Sequence, residues 1–201
     1  MNKESNPFSY VQEFEEVIAE YFGSQYAIAT DSCTHAIELC LRYEGYDQVT
    51  IPEHTYISIP FICKKLNLNW KFEKNKWSNN YTLGNTNIID AAVFWEQDSY
   101  ISGTYMCLSF QFRKHLSIGR GGMILTDDII AYETLKKMSY DGRRMDIPWS
   151  KQDIDIMGYH YYMTPESALN GLNKFYKVKD MEPKYWTYQD YPYLPKMRVF
   201  N

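Results

Sequence analysis

SYVQEFEEVIAEYFGSQYAIATDSCTHAIELCLRYEG, residues 9–45, contains three elements and two stops in one short span. Val11, Phe14, Val17, Ile18, Tyr21 and Phe22 recur at helical spacing, and Gly23 is placed to end that helix. "QYAIAT" is a short apolar run with β-branched and aromatic residues, which predicts a buried strand. Asp31 or Ser32 can then cap a second helix running to Gly45. Helix, strand, tight turn, helix is the opening of a layered α/β domain.

The same alternation continues outward. "QVTIP" predicts a strand, Tyr56 to Leu66 a helix despite Pro60, and "WKFEK" and "TNIID" two further strands. Lys74 to Thr86 is polar and irregular and reads as a loop. "YMCLSF" and "GGMILTD" predict strands, and "DIIAYETLKKMSY" an amphipathic helix. The pattern loosens after Asp141, then one more helix is expected from about Pro165 to Tyr176. Strands alternating with helices predict a three-layer α/β/α fold with a mostly parallel sheet. Residues 1–178 are expected to form this domain. Residues 179–201, rich in proline and aromatics, are expected to lie over its surface as an extended tail.

Composition narrows the function. A chain of 201 residues with 45% hydrophobic and 23% charged residues is long enough for a real core. A formal net charge of −4 gives no electrostatic case for nucleic acid. Cys33, Cys40, Cys63 and Cys107 lie far apart with no CxxC spacing, so reduced, half-buried thiols are expected and no metal site. Cys33 and Cys40 fall on one helix face. The opening residues lack the apolar core of a signal peptide, and no stretch has the length of a membrane span. A soluble, cytoplasmic protein is the expectation. Many of the 19 tyrosines cluster between Tyr159 and Tyr193, which points to a surface packed against something.

In layered α/β folds, ligands collect beyond the carboxyl ends of the strands. Four features fall at such ends. "DSCT" follows "QYAIAT", so helix-starting amides with Ser32 and Thr34 can hold an anion. Tyr56 follows "VTIP" and offers a flat aromatic face. Asp90 ends "TNIID". Ser109 and Lys114 follow "YMCL". Singly, each has a plainer reading as a helix cap, a turn residue or a solvated cation. Together they suit pyridoxal phosphate, which needs an anion cradle, a Schiff-base lysine, a carboxylate at its pyridine nitrogen and an aromatic plate. A nucleophilic lysine needs a lowered pKa, through burial or a neighbouring cation, and Arg113 and His115 flank Lys114.

These residues resemble the DegT/DnrJ/EryC1/StrS sugar aminotransferases, of the aspartate-aminotransferase-like fold type I. "FEEVIAEYFGSQYAIATDSCTHAIELCLR" is similar to the family's opening helix, strand and phosphate turn. "IPEHTYISIPFICKKLNLNWKFE" is similar to its next unit and "IIDAA" to its Asp-Ala-Ala element. "SFQFRKHLSIGRGGMILTDD" resembles its Ser-Phe-His-x-x-Lys segment, and "MGYHYYMTPESALNGLNKF" its Gly-Tyr-Asn-Tyr-Arg-Met stretch.

The resemblance implies roles. Lys114 would be the Schiff-base lysine and proton shuttle, Asp90 the partner of the pyridine nitrogen, and Tyr56 the stacking ring. Ser109, Thr34, Ser32 and the backbone at Cys33 would bind the phosphate. His160 stands where the family commonly has an asparagine reaching the phosphate of the neighbouring subunit, which implies a homodimer with shared sites. The implied reaction moves an amino group from an amino acid, glutamate or glutamine, to a keto-sugar nucleotide, as in polysaccharide biosynthesis.

By the resemblance, the departures fall around the substrate pocket and the subunit contact: Cys33 for glycine, Gln111 for histidine, Val93 for glutamine, Arg120 for glutamate, and His160 and Tyr162 for asparagine and arginine. Lysine at 114 argues against the dehydratase branch, which has histidine there. The family's second, smaller C-terminal domain has no counterpart in this sequence, so the tail or a partner subunit is expected to cover the cofactor. Two other readings stay open: a non-catalytic homologue serving in binding or assembly, and a pyridoxal-phosphate enzyme for another small keto or amino substrate.

Overall fold

The computed structural model describes residue 6 and residues 8–201; residues 1–5 and 7, at the start of the expected 1–178 unit, lie outside the described residues. The first unit is built as its residues dictate. Helix α1 (Ser9–Phe22) ends at Gly23, whose φ of 77° is the left-handed conformation that glycine adopts without steric cost. Strand β1 (Tyr26–Thr30) leads to α2 (Cys33–Glu44), with Ser32 as the cap accepting from the His35 amide.

The remaining strands are β2 (Gln48–Pro52), β3 (Asn69–Glu73), β4 (Tyr81–Thr82), β5 (Ile88–Asp90), β6 (Tyr105–Ser109) and β7 (Gly122–Thr126). The remaining helices are α3 (Ser58–Lys65), α4 (Ile129–Ser139) and α5 (Pro165–Val178). Five strands form one sheet in the order β1-β7-β6-β5-β4, and β2 pairs with β3 separately. Side-chain alternation divides the core between the two faces. Ile28, Ile88, Cys107 and Ile124 pack with α2 and α4 residues such as Leu39 and Leu135. Ala29, Ile89, Met106, Leu108 and Leu125 pack with Phe14 and Ile18 of α1 and Leu172 and Phe175 of α5. The three-layer α/β/α architecture is therefore present.

Pairing is mixed where a mostly parallel sheet was expected. Among the described residues only β5–β6 and β2–β3 are parallel; β1–β7, β6–β7 and β4–β5 are antiparallel. The reason lies in the connections. The loop from Phe110 to Gly121 carries no crossover helix, so β7 returns beside β6 in the opposite direction. The expected loop Lys74–Thr86 also contains β4, two residues long and too short to show a period.

Register brings the chemistry to one edge. Thr30 at the end of β1 and Ser109 at the end of β6 both pair with Gly122, and Asp90 at the end of β5 pairs with Cys107. Gly122 is obligatory here, because a Cβ would lie 2.3 Å from the backbone nitrogen of Cys33 and from the carbonyl carbon of Ser32. Its missing side chain lets the start of α2 sit directly on the sheet edge.

The tail is not a simple extended strand. It runs through short 3-10 turns at Tyr188–Asp190, Leu194–Lys196 and Arg198–Phe200. Thr187 forms a bridge with Ser78 and Tyr193 one with His54, and Leu194 is fully buried. All four cysteines are free and buried, more deeply than expected. Cys33 Sγ lies 3.3 Å from the Cys107 carbonyl and Cys40 Sγ 3.9 Å from Cys107 Sγ, consistent with the shared helix face.

Candidate active site

The sheet edge opens into a cavity of about 580 Å³. Ser32, Cys33, Thr34, Tyr56, Asp90, Ser109 and Lys114 all line it, so seven of the eight residues expected from the sequence are brought together. His160 is the exception. It does not line the cavity; its ring is exposed, with Nδ1 2.9 Å from Asp141 Oδ2 and Tyr162 at its edge.

At one end of the cavity is the start of α2. Ser32 Oγ accepts from the His35 amide and donates to Asp31, while Thr34 Oγ1 lies 2.9 Å from Ser58 Oγ. The Cys33 thiol turns to the Cys107 carbonyl at 3.3 Å, and Cys33 lines the cavity. Arg120 Nη2 sits 2.7 Å from Asp31 Oδ2, which ties the loop before β7 to the turn before α2. Hydroxyls and helix-starting amides suit a phosphate.

Asp90 lies across the cavity. Oδ2 accepts from the Tyr81 phenol at 2.7 Å and Oδ1 from the Ala92 amide at 3.0 Å. Burial pushes its pKa above the ordinary carboxylate value, opposed by the Tyr81 and Ala92 hydrogen bonds and by the charge of Lys114. Lys114 is shifted the opposite way. Burial lowers its pKa, and Asp90 and Cys33 oppose the shift. Arg113 and His115 do not cause it. Arg113 lies over the Phe112 ring and His115 Nε2 meets the Val178 carbonyl at 2.8 Å. Adjacent residues in this loop point in different directions, which the sequence alone does not reveal. Among the described residues Lys114 Nζ has no hydrogen bond or ion pair; its near neighbour is the Trp186 ring, 5.7 Å to the centroid.

A buried carboxylate, a half-buried unpaired amine and an anion cradle in one cavity fit the three polar ends of pyridoxal phosphate. Among the described residues no three histidine, cysteine or acidic side chains come together to hold a metal.

Several lining residues were not singled out from sequence. Tyr81 sits in the two-residue β4, and Thr55 precedes the expected Tyr56. Trp186 and Tyr191 come from the tail, whose aromatic richness was the one available signal. The Asn79 amide donates to the Trp186 carbonyl, and the Trp186 amide to Asn79 Oδ1, both at 2.9 Å. The tail thus forms part of the cavity wall.

The model of the DegT/DnrJ/EryC1/StrS aminotransferase family matches residues 2–68 and 100–186. No curated protein sequence matches the chain. Among solved structures, AtS13 from Actinomadura melliaura is 18% identical with a TM-score of 0.72, over 85% of this chain and 60% of that one. The sugar aminotransferase CalS13 from Micromonospora echinospora is 13% identical with a TM-score of 0.71, over 85% and 61%. DesI, solved in the presence of its TDP-sugar product, is 20% identical with a TM-score of 0.65, over 84% and 54%. At these identities the likeness establishes the fold. The chain spans 54–61% of the length of these structures.

Proposed function

The chain belongs to the DegT/DnrJ/EryC1/StrS aminotransferase family, and from that premise we propose that it is a pyridoxal-phosphate aminotransferase. The amino group passes from an amino acid, glutamate or glutamine, to a keto-sugar nucleotide, in a cytoplasmic protein acting in polysaccharide biosynthesis. The observation that carries this reading is the cavity in which Lys114, Asp90 and the start of α2 converge. The sugar nucleotide is supported by the family and by DesI, whose product is a TDP-sugar.

Bound here, pyridoxal phosphate supplies an electron sink for the bonds at the substrate's amine-bearing carbon. Each residue has a corresponding task. Lys114 Nζ would hold the group and would move a proton to and from that carbon. Burial lowers its pKa, which favours loss of the proton that a nucleophilic amine must shed. Asp90 holds the proton on the ring nitrogen. The Ser32–Thr34 turn, with the Thr34 and Ser109 hydroxyls, binds the phosphate, and Tyr56 covers one ring face. The tail residues Trp186 and Tyr191 exclude water from the amine. His160, exposed beside Asp141, is assigned to the cavity of a partner protomer in a homodimer.

The test is a visible spectrum of the chain with pyridoxal phosphate, followed by glutamate. A band that forms and is then bleached by glutamate supports the reading. A chain that binds the cofactor but transfers nothing from any amino acid is instead a binding homologue.

A further inference from the structure

We propose that Tyr81 is a positioning residue for Asp90, its phenol set by Thr55 so that the carboxylate stays ionised and faces the ring nitrogen of a bound pyridine. The inference rests on the cofactor reading above.

The geometry has a forced direction. Tyr81 and Asp90 are paired across β4 and β5, and Tyr81 Oη lies 2.7 Å from Asp90 Oδ2. Thr55 Oγ1 is hydrogen-bonded to the same phenol oxygen. Thr55 is 1% exposed and Tyr81 and Asp90 6% each, so the relay is buried at the cavity wall. An ionised carboxylate only accepts, so the single phenol proton must point to Asp90. The phenol oxygen then accepts from Thr55. The order Thr55 to Tyr81 to Asp90 is the one consistent with an ionised Asp90. Trp77, with its ring centroid 5.3 Å from that of Tyr81, holds the phenol in place.

The neighbouring charges make this contact decisive. Asp90 is faced by Lys114 from the loop after β6, Cys33 from α2, Cys107 from β6 and Tyr191 from the tail. Only Lys114 among them is a cation. It gives up that charge when its amine becomes the nucleophile. The Tyr81 phenol and the Ala92 amide then remain to stabilise the buried carboxylate.

The experiment compares two ligands in wild type, Tyr81→Phe and Thr55→Val: pyridoxal phosphate, and its deaza analogue with C–H replacing the ring nitrogen. Kd is read by fluorescence quenching. Only the first ligand has a nitrogen for Asp90 to hold. Tyr81→Phe is expected to raise the Kd of pyridoxal phosphate about tenfold, as for loss of a hydrogen bond to a charged group, and to leave the deaza analogue unchanged. Thr55→Val shifts it in the same direction by less, and carries the test if Tyr81→Phe does not fold. Equal weakening of both ligands assigns Tyr81 to packing alone and overturns the inference, as does no change in either. A wild type that binds neither ligand overturns the cofactor reading and the inference with it.

Discussion

The indole of Trp186 lies over the amine of Lys114, 5.7 Å from Nζ to the ring centroid, and joins the tail to the loop after β6. Trp186 also contacts Lys184 Nζ at 3.5 Å and is pinned by Asn79. Removing the indole should admit water to the cavity and return the Lys114 pKa toward its ordinary value. Trp186→Ala is therefore expected to move the pH dependence of the reaction between Lys114 and pyridoxal phosphate upward. The stability cost should be on the order of 1 kcal/mol, since the residue is half-buried. Stopped-flow absorbance across a pH series checks the first outcome and urea titration the second.

Lys114 itself should cost stability. Its folded-state pKa is lowered by burial, so between that value and the ordinary lysine value the unfolded chain binds more protons. Stability then rises with pH through this window and is lowest below it. Lys114→Met is expected to be more stable than wild type at neutral pH, with the difference shrinking toward alkaline pH. Melting temperatures of the cofactor-free proteins across pH decide it.

Gly122→Ala should be among the most damaging single changes. The added methyl would meet the backbone of Ser32 and Cys33 at 2.3 Å, where no flexible side chain can give way. A loss of roughly 3 kcal/mol or more is expected. The same change pushes α2 off the sheet edge, so phosphate affinity should fall in the fraction that folds. Denaturant titration and equilibrium dialysis with pyridoxal phosphate check the two effects.

Lys136→Met leaves Glu15 buried without its partner. In wild type Glu15 accepts from the Ala29 amide and pairs with Lys136. Its pKa is already raised, mainly by burial, with Lys136 opposing. A raised carboxylate pKa means stability falls as pH rises from the unfolded to the folded value. Without Lys136 that fall should deepen, with a loss of about 3 kcal/mol at neutral pH and less under acid. The double change with Glu15→Gln should recover part of it.

Much of this was legible in the residues themselves. Helical spacing from Val11 to Phe22, the Ser32 cap and the apolar strands placed each catalytic candidate at a strand end, and the fold gathers them there. What stayed hidden depends on contacts far apart in sequence. Tyr81 gains its importance from the register of a two-residue strand, and Trp186 from where the tail docks. The flanking cations of Lys114 misled because neighbouring side chains in a turn need not share a direction. Antiparallel pairing of β7 followed from a connection without a helix, which the strand pattern does not encode. His160 does not line the cavity, and the proposed role for it is in the cavity of a second protomer.

The most direct measurement is to incubate the chain with pyridoxal phosphate, reduce with borohydride and map the modified peptide by mass spectrometry. The account predicts one stoichiometric label, on Lys114, abolished in Lys114→Met and weakened in Asp90→Asn. No label, or label scattered over exposed lysines with Lys114 unmodified, would contradict it.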